Sequence, residues 1–125
     1  MKDLRIEGTK YTPEIIFDCT NKHFSISGNS RPENADAFFK EVFNWFEING
    51  EEVMKLDAVG LIIDLEYFNS SSSKQILNIL YKLEYLNPNN TVIKWYYDDE
   101  DEEILDAGKE FEEVTSLSFE FHKKR

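Results

Sequence analysis

"GLIIDLEYFNSSSSKQILNIL", residues 60–80, joins two different periodicities across a run of serines. From Gly60 to Leu65 it is almost continuously apolar, the pattern of a central strand buried on both faces. Beyond the serines, Ile76, Leu77, Leu80 and Leu83, with Tyr81, recur at the three- and four-residue spacing of an amphipathic helix. A buried strand running directly into a helix is half of a strand-helix-strand crossover, which requires a parallel portion of sheet with helices packed on it.

Upstream, the alternating segments "LRIEG" (Leu4 to Gly8), "EIIFD" (Glu14 to Asp18) and "HFSISG" (His23 to Gly28) read as short strands, with "CTN" (Cys19 to Asn21) as a turn between the second and third. "SRPENADAFFKEVFNWFEING" follows. Ser30 and Glu33 have the spacing of a capping box, Pro32 suits a first helical turn, and Gly50 marks the expected end. Ala35, Phe38, Phe39, Val42, Trp45 and Phe46 then share one helical face. Downstream, "NPNN" (Asn87 to Asn90) stops the second helix, and "TVIKWYYD" (Thr91 to Asp98) returns as a strand. "DDEDEEILDAGKEFEEV" (Asp98 to Val114) places Ile104, Leu105, Gly108 and Phe111 at helical spacing, and "LSFEFH" (Leu117 to His122) closes as a strand. The expected order is β-β-β-α-β-α-β-α-β, an α/β sandwich with a mixed sheet and three helices. No linker or repeat interrupts it, so residues 1–125 are expected to form a single domain.

Ten phenylalanines, six tyrosines and two tryptophans are ample for one core at this length. Twenty-five acidic against 14 basic residues give a formal charge of −11, a mean field that repels nucleic-acid phosphates and anionic lipid. Nucleic-acid and membrane partners are therefore not expected. The terminal "HKKR" (His122 to Arg125) is the only basic cluster and reads as a solvated tail. No stretch reaches the roughly 18 apolar residues of a membrane span, the opening "MKDLRIEGTKY" does not resemble a leader, and Cys19 alone supports neither a disulfide nor a cysteine metal site. A soluble, unprocessed, cytoplasmic protein is the expectation.

Serine sits poorly inside helices and well in a first turn, where its hydroxyl accepts from orphan backbone N–H groups. Asn69 to Ser73 therefore belongs at the start of the second helix, with Asn69 or Ser70 as its cap. A helix start also favours an anion, so a phosphate on Ser70, with Lys74 one turn on, would be tolerated there. Tyr67 and Phe68 precede the site, and either of them exposed would be an anchor for a partner.

Catalysis has less support. His23 lies in an alternating strand and His122 in the tail, and there is no nucleophile elbow, phosphate-binding glycine loop or zinc spacing. The "DDEDEE" run (Asp98 to Glu103) lacks the spacing of a calcium loop and suits a helix start through the dipole, leaving at most an acidic face for a partner. No metal, cofactor or catalytic residue is expected.

The segments "LRIEGTKYTPEIIFD", "SISGNSRPENADAFF", "LEYFNSSSSK", "WYYDDEDEEILDAGKEF" and "LSFEF" together resemble the SiaC family of bacterial regulatory phosphoproteins over essentially the whole length. The most specific parts are Pro32-Glu33-Asn34, Tyr67 to Lys74 and Trp95 to Asp99. That resemblance implies a fold like the anti-anti-sigma-factor (STAS-like) domains. It also implies a non-enzymatic switch, phosphorylated on the hydroxyl that Ser70 holds here by a Ser/Thr kinase with a histidine-kinase-like ATP-binding fold, and reversed by a PPM-type phosphatase. The unmodified form would engage a diguanylate cyclase in cyclic-di-GMP and biofilm signalling. The family pattern has threonine where this chain has Ser70, which leaves the chemistry intact and makes Ser71 a competing acceptor. The alternative is a constitutive STAS-like binding module whose serines serve only as a helix cap.

Overall fold

The computed structural model describes residues 3–124. It is one α/β domain in the expected order: β1 (Leu4–Ile6), β2 (Glu14–Asp18), β3 (His23–Ser30), α1 (Ala35–Lys55), β4 (Val59–Phe68), α2 (Ser70–Leu86), β5 (Thr91–Tyr97), α3 (Glu102–Val114) and β6 (Ser118–Lys123). The strands lie side by side in chain order. β1, β2 and β3 are antiparallel neighbours, and β3 to β6 run parallel.

Because every crossover moves one strand further in the same direction, right-handed connections put all three helices on one face. The register shows what they cover. Phe17, Phe24, Leu61, Ile93 and Phe119 form one cross-strand row, and Ile15, Ile26, Ile63, Trp95 and Phe121 the next. Trp45 and Phe46 of α1 pack on Phe17, while Phe111 of α3 packs edge-on against Trp95 at 5.6 Å between ring centroids. α2 is joined to α1 at both ends, by Gln75 donating to Asp36 at 2.5 Å and by the Asn87 amide donating to the Val53 and Leu56 carbonyls.

The opposite sheet face carries no helix. Its row runs Ile16, Ser25, Ile62, Lys94, Glu120, and Ile62 is only half-buried. The expectation that β4 is buried on both faces is thus corrected: Val59, Leu61, Ile63 and Leu65 reach the core, while Gly60, Ile62 and Asp64 between them are half-buried. α1 also starts and ends later than its sequence signals suggest. Asn34, not Ser30, is the N-cap, accepting from Ala37 N–H at 3.1 Å, so Pro32 lies before the helix. The helix continues through Gly50 to Lys55, and Gly50 faces Leu86 of α2, which a Cβ there would meet at ordinary van der Waals distance. The basic terminus is not a free tail either. His122 and Lys123 belong to β6, Lys123 pairs with Asp99 and Lys124 with Asp64, and Arg125 lies outside the described residues.

Candidate functional site

Parallel strands end together, so the C-terminal ends of β3, β4 and β5 and the starts of the helices that follow form one rim of the molecule. The serine run sits on this rim. Asn69 caps α2, its extended backbone letting the side-chain oxygen accept from Ser72 N–H at 2.9 Å. Its own N–H donates to the Ser30 carbonyl at 3.0 Å, tying the helix start to the end of β3.

The four serines then divide. Ser72 is fully buried: its hydroxyl donates to the Ser30 carbonyl at 3.0 Å and accepts from the Ser30 hydroxyl, itself fully buried, at 2.7 Å. Ser73 is half-buried, and its N–H closes onto the Asn69 carbonyl. Ser70 and Ser71 are exposed, and among the described residues their hydroxyls make no hydrogen bond. The first turn also leaves their N–H groups pointing out of the helix end. Lys74 is exposed one turn further on, and its four-residue spacing puts it on the same helical face as Ser70.

Tyr67 and Phe68 part company by strand alternation. Phe68 turns toward the helices, stacked on Phe111 and edge-on to Trp95. Tyr67 is 49% exposed and lies under the Arg31 guanidinium, 5.9 Å from its ring centroid. A register shift at Gly28/Asn29 leaves Glu66 unpaired just before them, so β4 bulges as it enters the site. Gly28 accommodates this with φ of 103°, a conformation that side chains oppose.

On the same rim, a cleft of about 630 Å³ is lined by Leu65, Glu66, Asp98, Glu100, Asp101, Ile104 and Lys124. Asp101 caps α3, accepting from Ile104 N–H at 3.1 Å, and Glu102 and Glu103 occupy the first turn, so the acidic run serves the helix dipole as expected. Among the described residues no group of three or more His, Cys, Asp or Glu side chains has a metal-holding arrangement. His23 is exposed at the start of β3, while His122 stacks on Tyr96 at 4.8 Å with Glu120 3.1 Å away. His23 lies at the opposite end of β3 from the serine site, and His122 lies on β6.

Sequence reasoning missed the Ser30–Ser72 pair and Arg31. The first had a signal: Ser72 stands four residues before Ile76 and seven before Ile79, on the same buried stripe. Arg31 had none, since its aromatic neighbours come from distant segments.

The sequence model of the SiaC family, described as regulatory phosphoproteins, matches residues 6–124. A search of curated proteins finds no match. Among solved structures, apo-SiaC from Pseudomonas aeruginosa superposes with a TM-score of 0.84 at 31% identity, covering 98% of this chain and 99% of that one. The structure of the diguanylate cyclase SiaD in complex with its activator SiaC, also from Pseudomonas aeruginosa, matches with a TM-score of 0.84 at 31% identity over 97% of this chain and 99% of that one.

Proposed function

The chain belongs to the SiaC family of regulatory phosphoproteins, and from that membership we propose that it is a cytoplasmic phospho-switch whose modifiable hydroxyl is Ser70. As a member of that family it is a regulator, not an enzyme. The observation that carries the reading is the division of the serines. Capping is done by Asn69 and anchoring by Ser72, which leaves Ser70 and Ser71 exposed with hydroxyls that the fold does not use.

Phosphate on Ser70 adds about −1.5 to −2 charges at a helix start. Free N–H donors and the helix dipole favour it there by roughly 0.3–1 kcal/mol, and Lys74 supplies a mobile counter-charge. Modification therefore leaves the domain folded and changes its surface. In the unmodified state that surface, with Tyr67 as an exposed anchor and Phe68 behind it, receives a downstream partner, and a diguanylate cyclase is the partner we assign by analogy with the SiaD complex. A Ser/Thr kinase with a histidine-kinase-like ATP-binding fold writes the phosphate and a PPM-type phosphatase removes it. Ser71 is the competing acceptor; Ser72 is excluded by burial.

The test is intact-mass and fragment mass spectrometry on the protein from its native cells, before and after treatment with a PPM-type phosphatase. A single phosphatase-sensitive phosphate on Ser70 is expected. Absence of phosphate across growth conditions, with the cognate kinase supplied, would leave the constitutive binding module in its place.

A further inference from the structure

Three side chains from three separate segments meet beside the serine site. The Arg31 guanidinium lies 5.5 Å from the Tyr11 ring centroid and 5.9 Å from that of Tyr67. Lys10 sits over the Tyr11 ring as well, at 5.8 Å. Tyr11 is 54% exposed and Tyr67 49%, so the stack is open to solvent.

The stack is built rather than fortuitous. Thr9 folds the loop before β2: its hydroxyl accepts from Thr12 N–H at 3.0 Å and Tyr11 N–H at 3.2 Å, and its N–H donates to the Thr12 carbonyl. The Tyr11 carbonyl in turn accepts from Arg31 N–H at 2.8 Å, which docks that loop onto the end of β3. Arg31 follows Ser30, the residue that receives the start of α2. The stack and Ser70 thus share the same end of the β3 and β4 strands.

Charge makes the arrangement informative. The chain has 25 carboxylate side chains, and its basic Arg5, Lys22, Lys82, Lys123 and Lys124 are paired with some of them. Among the described residues Arg31 has no carboxylate partner; it is exposed, and its guanidinium carbon lies over the Tyr11 and Tyr67 rings. A guanidinium edge presents paired donors that match the two oxygens of a carboxylate, and stacking on aromatic faces restricts it in advance. Arginine and tyrosine are also the side chains in which binding energy concentrates.

We infer that Tyr11, Arg31 and Tyr67, with Lys10, form a receptor for a carboxylate-bearing acidic segment of the protein partner. The inference rests on the partner-binding reading above and deepens it: the stack chooses an acidic partner, and the Ser70 phosphate, an anion on the same rim, opposes that partner's approach by like charge. The chain as a whole, at a formal charge of −11, repels the same segment, which favours contact at this corner.

A blocked tetraglutamate peptide is the probe, titrated into the unmodified full chain at low salt while the Arg31 Nε–H and the Tyr11 and Tyr67 ring signals are followed by NMR. Saturable shifts at all three residues are expected, abolished in 0.5 M salt as screening demands. Arg31→Gln should weaken the apparent affinity about tenfold or more, the loss of a charge-assisted bidentate contact; Tyr67→Leu should weaken it less. Shifts confined to other basic residues, or unchanged by Arg31→Gln, overturn the inference. So does an equal response to a tetralysine peptide or to inorganic phosphate, which would mark a surface without carboxylate preference. Because the titration uses unphosphorylated protein, its failure is separate from failure to find phosphate on Ser70 in cells.

Discussion

At the scale of single residues, neighbouring serines have opposite consequences. Ser72→Ala removes the hydroxyl that bridges to Ser30 and leaves the Ser30 hydroxyl buried without its partner, a cost of about 1–3 kcal/mol. Ser70→Ala removes an exposed hydroxyl with no partner and should stay within about 0.5 kcal/mol of the parent. Urea unfolding of the two variants separates them, and equal midpoints would show that the Ser30–Ser72 pair does not hold α2 to β3. Cys19 gives a second residue-scale expectation. Burial, with Glu52, Asp18 and Asp3 adding negative potential, pushes its thiol up from 9.0 to about 11. Between those values the unfolded chain ionises while the folded one keeps its proton, so this group's contribution falls as pH rises from about 9 to about 11. In the native protein the thiolate is correspondingly scarce, and a thiol reagent at pH 8 should react with Cys19 far more slowly than in urea. Equal rates would contradict the burial.

At the scale of elements, the long periodic segments were legible because their signals are local. The aromatic face of α1, the leucine-spaced face of α2 and the nearly continuous apolar run of β4 all became the elements they resemble. Boundaries set by distant partners were not legible. Ser30 and Glu33 carry a capping-box spacing, but the Ser30 hydroxyl is claimed by Ser72, 42 residues on, and Asn34 caps α1 instead. The position of the serine site at a helix start was readable from serine chemistry; the separation of an anchoring serine from exposed ones depended on which face of α2 meets β3, which only packing decides. Gly108 shows the same dependence. A Cβ there would stand 2.6 Å from the Trp95 indole nitrogen, which donates to the Ile104 carbonyl at 3.0 Å. α3 therefore lies against β5 at a distance that only glycine permits. Gly108→Ala should cost about 1–3 kcal/mol by overpacking. A blue-shifted or otherwise altered tryptophan emission should accompany the loss in chemical denaturation; an unchanged midpoint would mean that α3 can move away from the indole freely.

At the scale of the molecule, the switch proposed above must change what the protein binds without changing whether it folds, and the placement of Ser70 would separate those two quantities. The helix that bears it is fixed by interactions elsewhere: the Asn69 cap, the buried Ser72 hydroxyl, the Gln75–Asp36 bond and the Asn87 contacts to the end of α1. None of these uses the Ser70 side chain. Phosphoserine at position 70 should thus raise stability by roughly 0.3–1 kcal/mol through the helix dipole, an upward shift of a few degrees in the thermal midpoint at this chain length. The partner faces a different balance. Moving it from almost fully bound to almost fully free takes about 5.5 kcal/mol, within reach of a dianion forced against acidic or desolvated groups. Ser70→Asp, which keeps a good first-turn residue while adding one charge, should fall between the two states in binding and match the parent in folding. Calorimetric unfolding of the unmodified, phosphorylated and Ser70→Asp proteins, beside their binding to a diguanylate cyclase as the proposed partner, checks both halves at once. A large drop in melting temperature on phosphorylation would replace surface competition with local unfolding of α2, whereas undiminished cyclase binding by the folded phosphoprotein would remove Ser70 from the interface altogether.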